Sequence, residues 1–174
     1  CIRDRIDEIM EIANCYGIPV IEDVAEGFGS KYDGKVLGTF GKFGVLSFNG
    51  NKMITTSGGG ALICRNEEDA NNIMWHATQA RDAYSYYQHT EIGYNYRMSN
   101  VVAGIGRGQL LHLEEHKALK KAIYQQYKEA LADIDEITMN PLNPDGDANN
   151  WLSCITLKEG SRVTSNDIMD ALDA

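Results

Sequence analysis

Three short apolar runs separated by glycine-rich loops limit most strongly what this chain can fold into. The runs lie at residues 18–21, 43–48 and 61–64. Short continuous apolar runs bounded by such loops are typical of strands that are covered on both faces of an α/β sheet. Before them, residues 2–16 repeat apolar side chains at helical spacing, and Gly17 and Pro19 end that pattern. This order predicts a helix followed by a strand, as in a βαβ unit.

Polar side chains follow two of these runs at the points where the strands end. Glu22 and Asp23 follow the first run, Ser47 lies near the end of the second, and Lys52 comes five residues beyond Ser47. Ligands of open α/β sheets bind beyond the carboxyl ends of the strands, which is where these side chains are expected. From residue type alone, each acid is equally an ordinary strand-end carboxylate, and Lys52 is equally a surface lysine.

The rest of the chain alternates helical patterns with loops. Residues 29–43 are rich in glycine and predict turns with a short hairpin at 32–35. Asn66 caps a predicted helix that ends near residue 77, and Ser99 caps a long one that ends near residue 133. The final part predicts a loop at 140–150, a strand at 151–157 and a helix capped by Thr164 or Ser165.

Composition narrows the class of partner. The chain has 174 residues, a formal net charge of −9 and an ordinary globular share of charged residues, 24%. Such a charge argues against nucleic acid or an anionic membrane as the partner, because both require clustered Lys and Arg. Cys1, Cys15, Cys64 and Cys154 lie far apart, so they indicate free thiols in a reducing cytoplasm and not a metal site. No secretory signal or long apolar span is recognisable.

Several other features do not define a site by themselves. The triple glycine at residues 58–60 lacks the spacing of a nucleotide phosphate loop and predicts a tight loop where backbone passes close to a ligand. His112 and His116 lie one helical turn apart, but the order of residues is not that of a zinc protease. Arg81 and Arg97 are candidates for contact with an anionic substrate.

Taken together, the blocks resemble a known family. The acid at position 23, the pair Ser47-Phe48, Lys52 and the triple glycine occur in the order found in the DegT/DnrJ/EryC1/StrS family, and the block GYNYRM at residues 93–98 is similar to another part of it. Members are pyridoxal phosphate (PLP)-dependent sugar aminotransferases of fold type I. The stretch SFNGNKMITTSGGGAL at residues 47–62 is most similar to the branch that acts on UDP-4-keto-6-deoxy-N-acetylhexosamines.

The resemblance implies a fold and a division into domains. It implies an α/β fold in which residues 1–135 form the C-terminal part of the large PLP-binding domain, with a mostly parallel sheet flanked by helices. Residues 136–174 are then a linker and the start of the smaller C-terminal domain. Because family members have further sequence on both sides, we expect this chain to be a fragment of a longer protein.

The resemblance also implies roles for individual residues. Lys52 is the catalytic lysine that bonds to the cofactor aldehyde, a reaction that requires a neutral amine in a buried or cationic environment. Asp23 pairs with the pyridine nitrogen and keeps the ring electron-withdrawing, with Glu22 as the competing acid. Ser47 binds the cofactor phosphate. Glu26 is a weaker candidate that orients the hydroxyl side of the ring or the substrate.

Asn95 resembles the asparagine that reaches the cofactor phosphate of the partner subunit. That role implies a homodimer with shared active sites. Turn preference after Gly93 explains the same asparagine without any such role.

These roles imply transfer of an amino group, with glutamate as the expected donor and a keto sugar nucleotide as acceptor, in cell-surface glycan or polysaccharide biosynthesis. A sister activity of the family, sugar dehydration, places a histidine where this chain has Lys52, so the residue favours transamination. The alternative from a different class is a non-catalytic remnant or folding domain. The expected partners are thus small molecules and a second copy of the chain, without nucleic acid or membrane.

Overall fold

The structure, a computed structural model, describes residues 5–173, so any expectation for Cys1 lies outside the described residues. The helices are α1 (Ile6–Cys15), α2 (Glu67–Ala77), α3 (Asn100–Leu110), α4 (Leu113–Ala130) and α5 (Ser165–Leu172). The strands are β1 (Ile21–Asp23), β2 (Lys31–Tyr32), β3 (Lys35–Val36), β4 (Phe43–Ser47), β5 (Gly60–Cys64), β6 (Ile137–Met139), β7 (Gly146–Asp147) and β8 (Ile155–Leu157).

The main sheet has three strands in the order β1-β4-β5. β1 and β4 run parallel with Asp23 opposite Val45, whereas β4 and β5 are antiparallel with Ser47 opposite Gly60. The carboxyl ends of β1 and β4 and the start of β5 therefore share one edge of the sheet. The glycine-rich loop between β4 and β5 lies at that same edge.

The predicted burial of the strands on both faces is wrong for the described residues. In β1 only Glu22 is buried, and β5 is exposed or half-buried along its length. The first strand also begins at Ile21 and not at residue 18, since Ile18 donates its N–H to the Ala13 carbonyl and still belongs to the turn that closes α1. Within residues 5–173, one edge of β1 and one edge of β5 have no neighbouring strand.

A compact apolar cluster lies directly beside the ends of β1 and β4. Val24, Leu37 and Leu46 are buried at its centre. The partly buried side chains packed on them are Phe28, Tyr32, Phe40, Phe48 and Ile63. Val24 immediately follows Asp23 and Leu46 immediately precedes Ser47, so packing of this cluster fixes the backbone from which both polar side chains project.

The helices follow the sequence patterns, with one exception. α1 lies within the predicted range 2–16, of which residues 2–4 fall outside the described residues, and α2 lies where it was predicted. Asn66 caps α2 by accepting the N–H of Asp69. The single long helix expected after Ser99 is wrong, because the chain divides into α3 and α4. At the break, Leu111 and His112 donate to carbonyls three residues back, which is the tighter 3₁₀ pattern.

The segment at residues 78–98 folds back on the end of α2. Tyr94 and Tyr96 donate their N–H groups to the carbonyls of His76 and Ala77.

The hairpin predicted at 32–35 is confirmed as β2 and β3, and β7 adds to it as a third strand. The strand predicted at 151–157 is confined to Ile155–Leu157. Among the described residues, no helix combines the length and apolar character needed to cross a bilayer.

Candidate active site

The fold gives the two adjacent acids, Glu22 and Asp23, different environments. Glu22 is buried and accepts hydrogen bonds from the backbone N–H groups of Gly38, Phe40 and Gly41, each at 2.7 Å. Asp23 lies at the exposed end of β1, and within residues 5–173 its carboxylate accepts only the N–H of Ala25, at 3.0 Å. The hydrogen bonds of the Glu22 carboxylate are thus made to the loop at residues 38–41, whereas the Asp23 carboxylate remains available to a ligand.

Ser47 lies at the end of β4, on the same edge of the sheet as Asp23. Its Oγ accepts the N–H of Asn49 at 3.4 Å, which leaves the hydroxyl proton free to be donated. With Asp23 opposite Val45, Ser47 lies two residues further along the neighbouring strand, which places the two Cα atoms about 8 Å apart by standard strand spacings. A carboxylate and a hydroxyl therefore face the same space beyond the sheet edge.

The loop that contains Lys52 is closed and anchored. Thr56 donates its N–H to the Phe48 carbonyl at 2.9 Å, and this bond closes the loop on itself. The side-chain oxygen of Gln109 in α3 accepts the N–H of Thr55 at 3.3 Å, and Nδ1 of His116 in α4 lies 3.2 Å from the Met53 carbonyl. Two helices thus hold the loop in place, and His116 has a structural contact there.

Lys52 projects from this loop into a partly closed environment. Its side chain is only 14% exposed, and Nζ lies 4.0 Å from Oε1 of Glu26. Nζ also lies 4.3 Å from the centroid of the Trp151 indole ring. The amine of Lys52 is therefore covered by an aromatic face on one side and faces a carboxylate on another, so the structure brings two of the predicted site residues, Lys52 and Glu26, together.

Sequence reasoning missed Trp151 and its neighbour Asn149. The Trp151 Nε1 donates to the Asn51 carbonyl at 2.7 Å, and Asn149 Nδ2 donates to the carbonyls of Glu26 and Phe28. The sequence predicted a loop and a strand start for these positions. A hundred residues separate Trp151 from Asn51, and no local pattern pairs residues so far apart.

Asn95 lies elsewhere, on the segment that follows α2. It forms an isolated antiparallel bridge with Thr78, and its side chain is exposed. Gly93 permits this arrangement, because a Cβ there would collide with the backbone of Gln79 and Ala80. An exposed asparagine on a fixed backbone is compatible with a contact to a second subunit, which stays a prediction.

A cavity of about 730 Å³ adjoins the site. Asp23, Glu26 and Trp151 contribute to its wall, together with apolar side chains of α1 and β1 such as Ile6 and Ile21. A space of this volume is large enough for an organic cofactor or a small ligand.

The sequence model of the DegT/DnrJ/EryC1/StrS aminotransferase family matches residues 3–174 of this chain. The chain belongs to this family. The predicted family is thereby confirmed, and the match includes residues from both of the predicted parts, 1–135 and 136–174.

Three relatives illustrate the family. EpsN of Bacillus subtilis (strain 168), to which pyridoxal phosphate-dependent aminotransferase activity is ascribed, is 47% identical over 90% of this chain and 40% of its own length. GDP-perosamine synthase of Caulobacter vibrioides is 34% identical over 97% of this chain and 46% of its own. UDP-4-amino-4,6-dideoxy-N-acetyl-beta-L-altrosamine transaminase of Campylobacter jejuni is 34% identical over 71% of this chain and 33% of its own.

The fold is shared with solved aminotransferases. The aminotransferase TlmJ from Streptoalloteichus hindustanus superposes with a TM-score of 0.80 at 27% identity, over 88% of this chain and 42% of that one. PseC of Helicobacter pylori superposes with a TM-score of 0.88 at 20% identity, over 97% of this chain and 46% of that one. The predicted fold type I class is confirmed. The chain spans less than half the length of each of these proteins.

The cofactor indicated for the family is pyridoxal phosphate, and the relative EpsN is named as an aminotransferase that depends on it. The residues present fit this group in their chemistry. Lys52 offers an amine for an aldehyde, Asp23 a carboxylate for a ring nitrogen, and Ser47 a hydroxyl for a phosphate. Both Asp23 and Ser47 retain capacity for a ligand, because each makes only one hydrogen bond at its side-chain oxygen among the described residues.

Proposed function

We propose that the full-length protein is a PLP-dependent aminotransferase that transfers an amino group, with glutamate as donor, to a keto sugar nucleotide. We place that reaction in the cytoplasm and in cell-surface glycan or polysaccharide biosynthesis. The observation that supports this best is the placement of Lys52, whose amine is mostly covered and lies beside Glu26 and Trp151 near the edge of the sheet that presents Asp23 and Ser47.

PLP, when bound, withdraws electrons from the carbon that carries the amino group, so that a proton can leave that carbon. In our proposal Lys52 holds the cofactor covalently in the resting protein. Once the amine of the donor has taken the place of Lys52 on the cofactor, the freed Nζ would accept the proton from the substrate carbon and deliver it again, as general base and general acid. The nearly closed surroundings of Lys52 exclude most water from this transfer.

The other residues bind and orient. Asp23 pairs with the ring nitrogen, and its freedom from the network that occupies Glu22 makes it the acid suited to this role. Ser47 donates its hydroxyl proton to the phosphate. Glu26, 4.0 Å from Lys52 Nζ, orients the hydroxyl side of the ring or the substrate. Asn95 reaches the phosphate of a partner subunit's cofactor.

The acceptor is proposed at the level of a nucleoside-diphosphate sugar, with a UDP-4-keto-6-deoxy sugar as the first choice from the loop sequence. A relative named for a GDP sugar and one named for a UDP sugar are each 34% identical to this chain, over 97% and 71% of it respectively. Both nucleotides therefore belong in the assay as alternative acceptors.

The test uses Lys52→Ala in the full-length protein, with Lys42→Ala as the matched control. Lys42 is half exposed and lies 3.8 Å from Asp69 at the surface, away from the site. We expect Lys52→Ala to lower turnover by about 10²–10⁴-fold or more, the range of positioned proton transfer alone. With PLP, wild type and Lys42→Ala should show a visible absorbance band. Reduction with borohydride should then attach the cofactor irreversibly to Lys52. Substantial turnover by Lys52→Ala without an added amine would remove Lys52 from its role.

A further inference from the structure

The contact between Trp151 and the Lys52 loop joins parts of the chain that are distant in sequence. The indole ring faces the Lys52 ammonium, with 4.3 Å between Nζ and the ring centroid. The indole Nε1 donates to the Asn51 carbonyl at 2.7 Å. One side chain thus contacts the lysine amine and also fixes the backbone immediately before that lysine.

Asn149 fastens Trp151 to the loop that contains Glu26. Its Nδ2 donates to the Glu26 carbonyl at 2.9 Å, its backbone N–H donates to Ser30 Oγ at 3.0 Å, and its Oδ1 accepts the N–H of Trp151 at 3.0 Å. Asn149 is only 6% exposed, so water competes little for these bonds. Residues 149–151 therefore connect the Glu26 loop to the Lys52 loop.

The two neighbours of the Lys52 amine differ in how strongly they can hold it. Glu26 has the opposite charge, but its side chain is 70% exposed and lies 4.0 Å away, so solvent weakens the attraction. The indole face is the better partner for a mostly covered cation, because cation–π attraction increases as water is excluded. This attraction acts on the charged amine and is lost when the amine is neutral.

We propose that Trp151 is a positioning residue, which holds the charged Lys52 amine against its ring while that amine is not bonded to a cofactor carbon. The inference rests on the proposed function, in which Lys52 alternates between a bonded and a free amine. The ring keeps the free amine inside the site and away from solvent. The hydrogen bond to Asn51 keeps the loop at the matching distance.

Kinetics test the role of the ring. Trp151→Leu removes both the ring and the N–H, and it should lower kcat by about 3- to 30-fold, the range that corresponds to loss of one cation–π contact. KM for the amino donor should change much less. Trp151→Phe retains a ring without the N–H and should give an intermediate kcat. Lys42→Ala, at the surface position away from the site, is the control and should leave kcat unchanged.

Spectroscopy tests the contact without any turnover. Trp75 and Trp151 are the two tryptophans of this sequence. In cofactor-free full-length protein labelled with 5-fluorotryptophan, Lys52→Met should shift the fluorine resonance of position 151. Lys35→Met is the matched control, because Lys35 also lies over an aromatic ring, with 4.4 Å between its Nζ and the Phe40 ring centroid. The signal that disappears in Trp151→Phe is the one that belongs to position 151.

The outcomes separate this inference from the proposed function. A shift on Lys52→Met, with none on Lys35→Met, supports the contact. An unchanged resonance at position 151, or Trp151→Leu with wild-type kcat, overturns the inference even if PLP binds to Lys52. Conversely, if borohydride reduction does not attach PLP to Lys52, the proposed function fails and the positioning role fails with it. In that case a resonance shift establishes only a structural contact.

Discussion

At the scale of single residues, the neighbours Glu22 and Asp23 have opposite relations to solvent. Alternation along a strand places successive side chains on opposite faces, so only one of the two can project into the interior. Glu22 does so and is only 4% exposed, yet its carboxylate accepts hydrogen bonds from three backbone N–H groups of the loop at residues 38–41. A buried carboxylate without such donors would be strongly destabilising.

The first prediction separates the two acids. Glu22→Gln replaces one acceptor oxygen by a donor NH2 that faces backbone N–H groups, so it should lower the free energy of unfolding by about 1–3 kcal/mol. Asp23→Asn should change that free energy by less than about 0.5 kcal/mol, as exposed substitutions do, while weakening PLP binding strongly. Urea unfolding and PLP titration measure the two effects. If Glu22→Gln were the variant that loses PLP at unchanged stability, the assignment of Asp23 would be wrong.

The sequence predicted which residue types gather at the sheet edge, but it did not separate Glu22 from Asp23 by itself. The N–H groups that occupy Glu22 lie 16 to 19 residues further along the chain. No local pattern shows that a loop will fold back onto one carboxylate and not the other. The same reason explains why Trp151 was missed, since its partner Asn51 is a hundred residues away.

At the scale of helices and strands, the glycines of α3 separate into two kinds. A Cβ at Gly106 would lie 3.0 Å from Cγ2 of the buried Thr56, in the loop that contains Lys52. A Cβ at Gly104 would meet no heavy atom within 4 Å. Close packing against the Lys52 loop is therefore present at Gly106 and absent at Gly104 among the described residues.

The second prediction compares alanine at these two positions. Gly104→Ala should stabilise the protein by about 0.5–1 kcal/mol, because alanine loses less backbone entropy in a helix. Gly106→Ala should lose that gain or become destabilising, since Thr56 must move together with the Lys52 loop. Thermal unfolding of the two variants and the wild type measures the difference. Equal gains at both positions would mean that α3 does not press on this loop.

A buried cation links α4 to β7. Nζ of Lys117 lies 2.9 Å from the carboxylate of Asp147 and 3.4 Å from that of Glu114, and the Lys117 side chain is only 7% exposed. Burial by itself lowers the pKa of Lys117, but the hydrogen bond and charge of Asp147 and the charge of Glu114 outweigh it and raise the pKa above 10.5. The stabilisation that follows is complete below that pH and is lost as the pH rises through the elevated pKa of Lys117.

The third prediction concerns this ion pair. Asp147→Asn should lower the free energy of unfolding at pH 7 by about 1–2 kcal/mol, less than for a fully buried pair because the Asp147 side chain is 52% exposed. Glu114→Gln is the milder matched variant, since Glu114 is 77% exposed. Denaturant unfolding at pH 7 and at a pH above the raised pKa of Lys117 measures both. Similar losses for the two variants, or a difference that persists at high pH, would contradict the assignment.

The sequence predicted which helices and strands exist better than where they end. The caps at Asn66 and Ser99 are local hydrogen bonds, so residue type was enough to locate both helix starts. The division of α3 from α4 was not predicted, because apolar spacing continues through the break. Similarly, the strand expected at 151–157 is short because Asn149 and Trp151 bond to distant loops and not to a neighbouring strand.

At the scale of the whole molecule, the segment at 78–98 is the surface best suited to a second copy of the chain. Its backbone is held against the end of α2, yet its five tyrosines remain exposed, and four of them stack in two pairs. The ring centroids of Tyr84 and Tyr86 lie 5.3 Å apart, and those of Tyr94 and Tyr96 lie 5.0 Å apart. Tyrosine is enriched at protein interfaces, so we propose that this segment lies at the interface of a homodimer.

The last prediction tests whether two copies share one active site. If Asn95 serves the partner's site, a heterodimer of Lys52→Ala and Asn95→Ala subunits contains one site with both mutations and one intact site. Mixing the two inactive variants in equal amounts should therefore restore about a quarter of wild-type activity, since half of the dimers are mixed and each has one working site. Different affinity tags on the two variants, purified in succession, verify that mixed dimers form. If the mixed dimers form and stay inactive, Asn95 acts on the cofactor of its own chain. If Asn95→Ala alone is fully active, it acts on none.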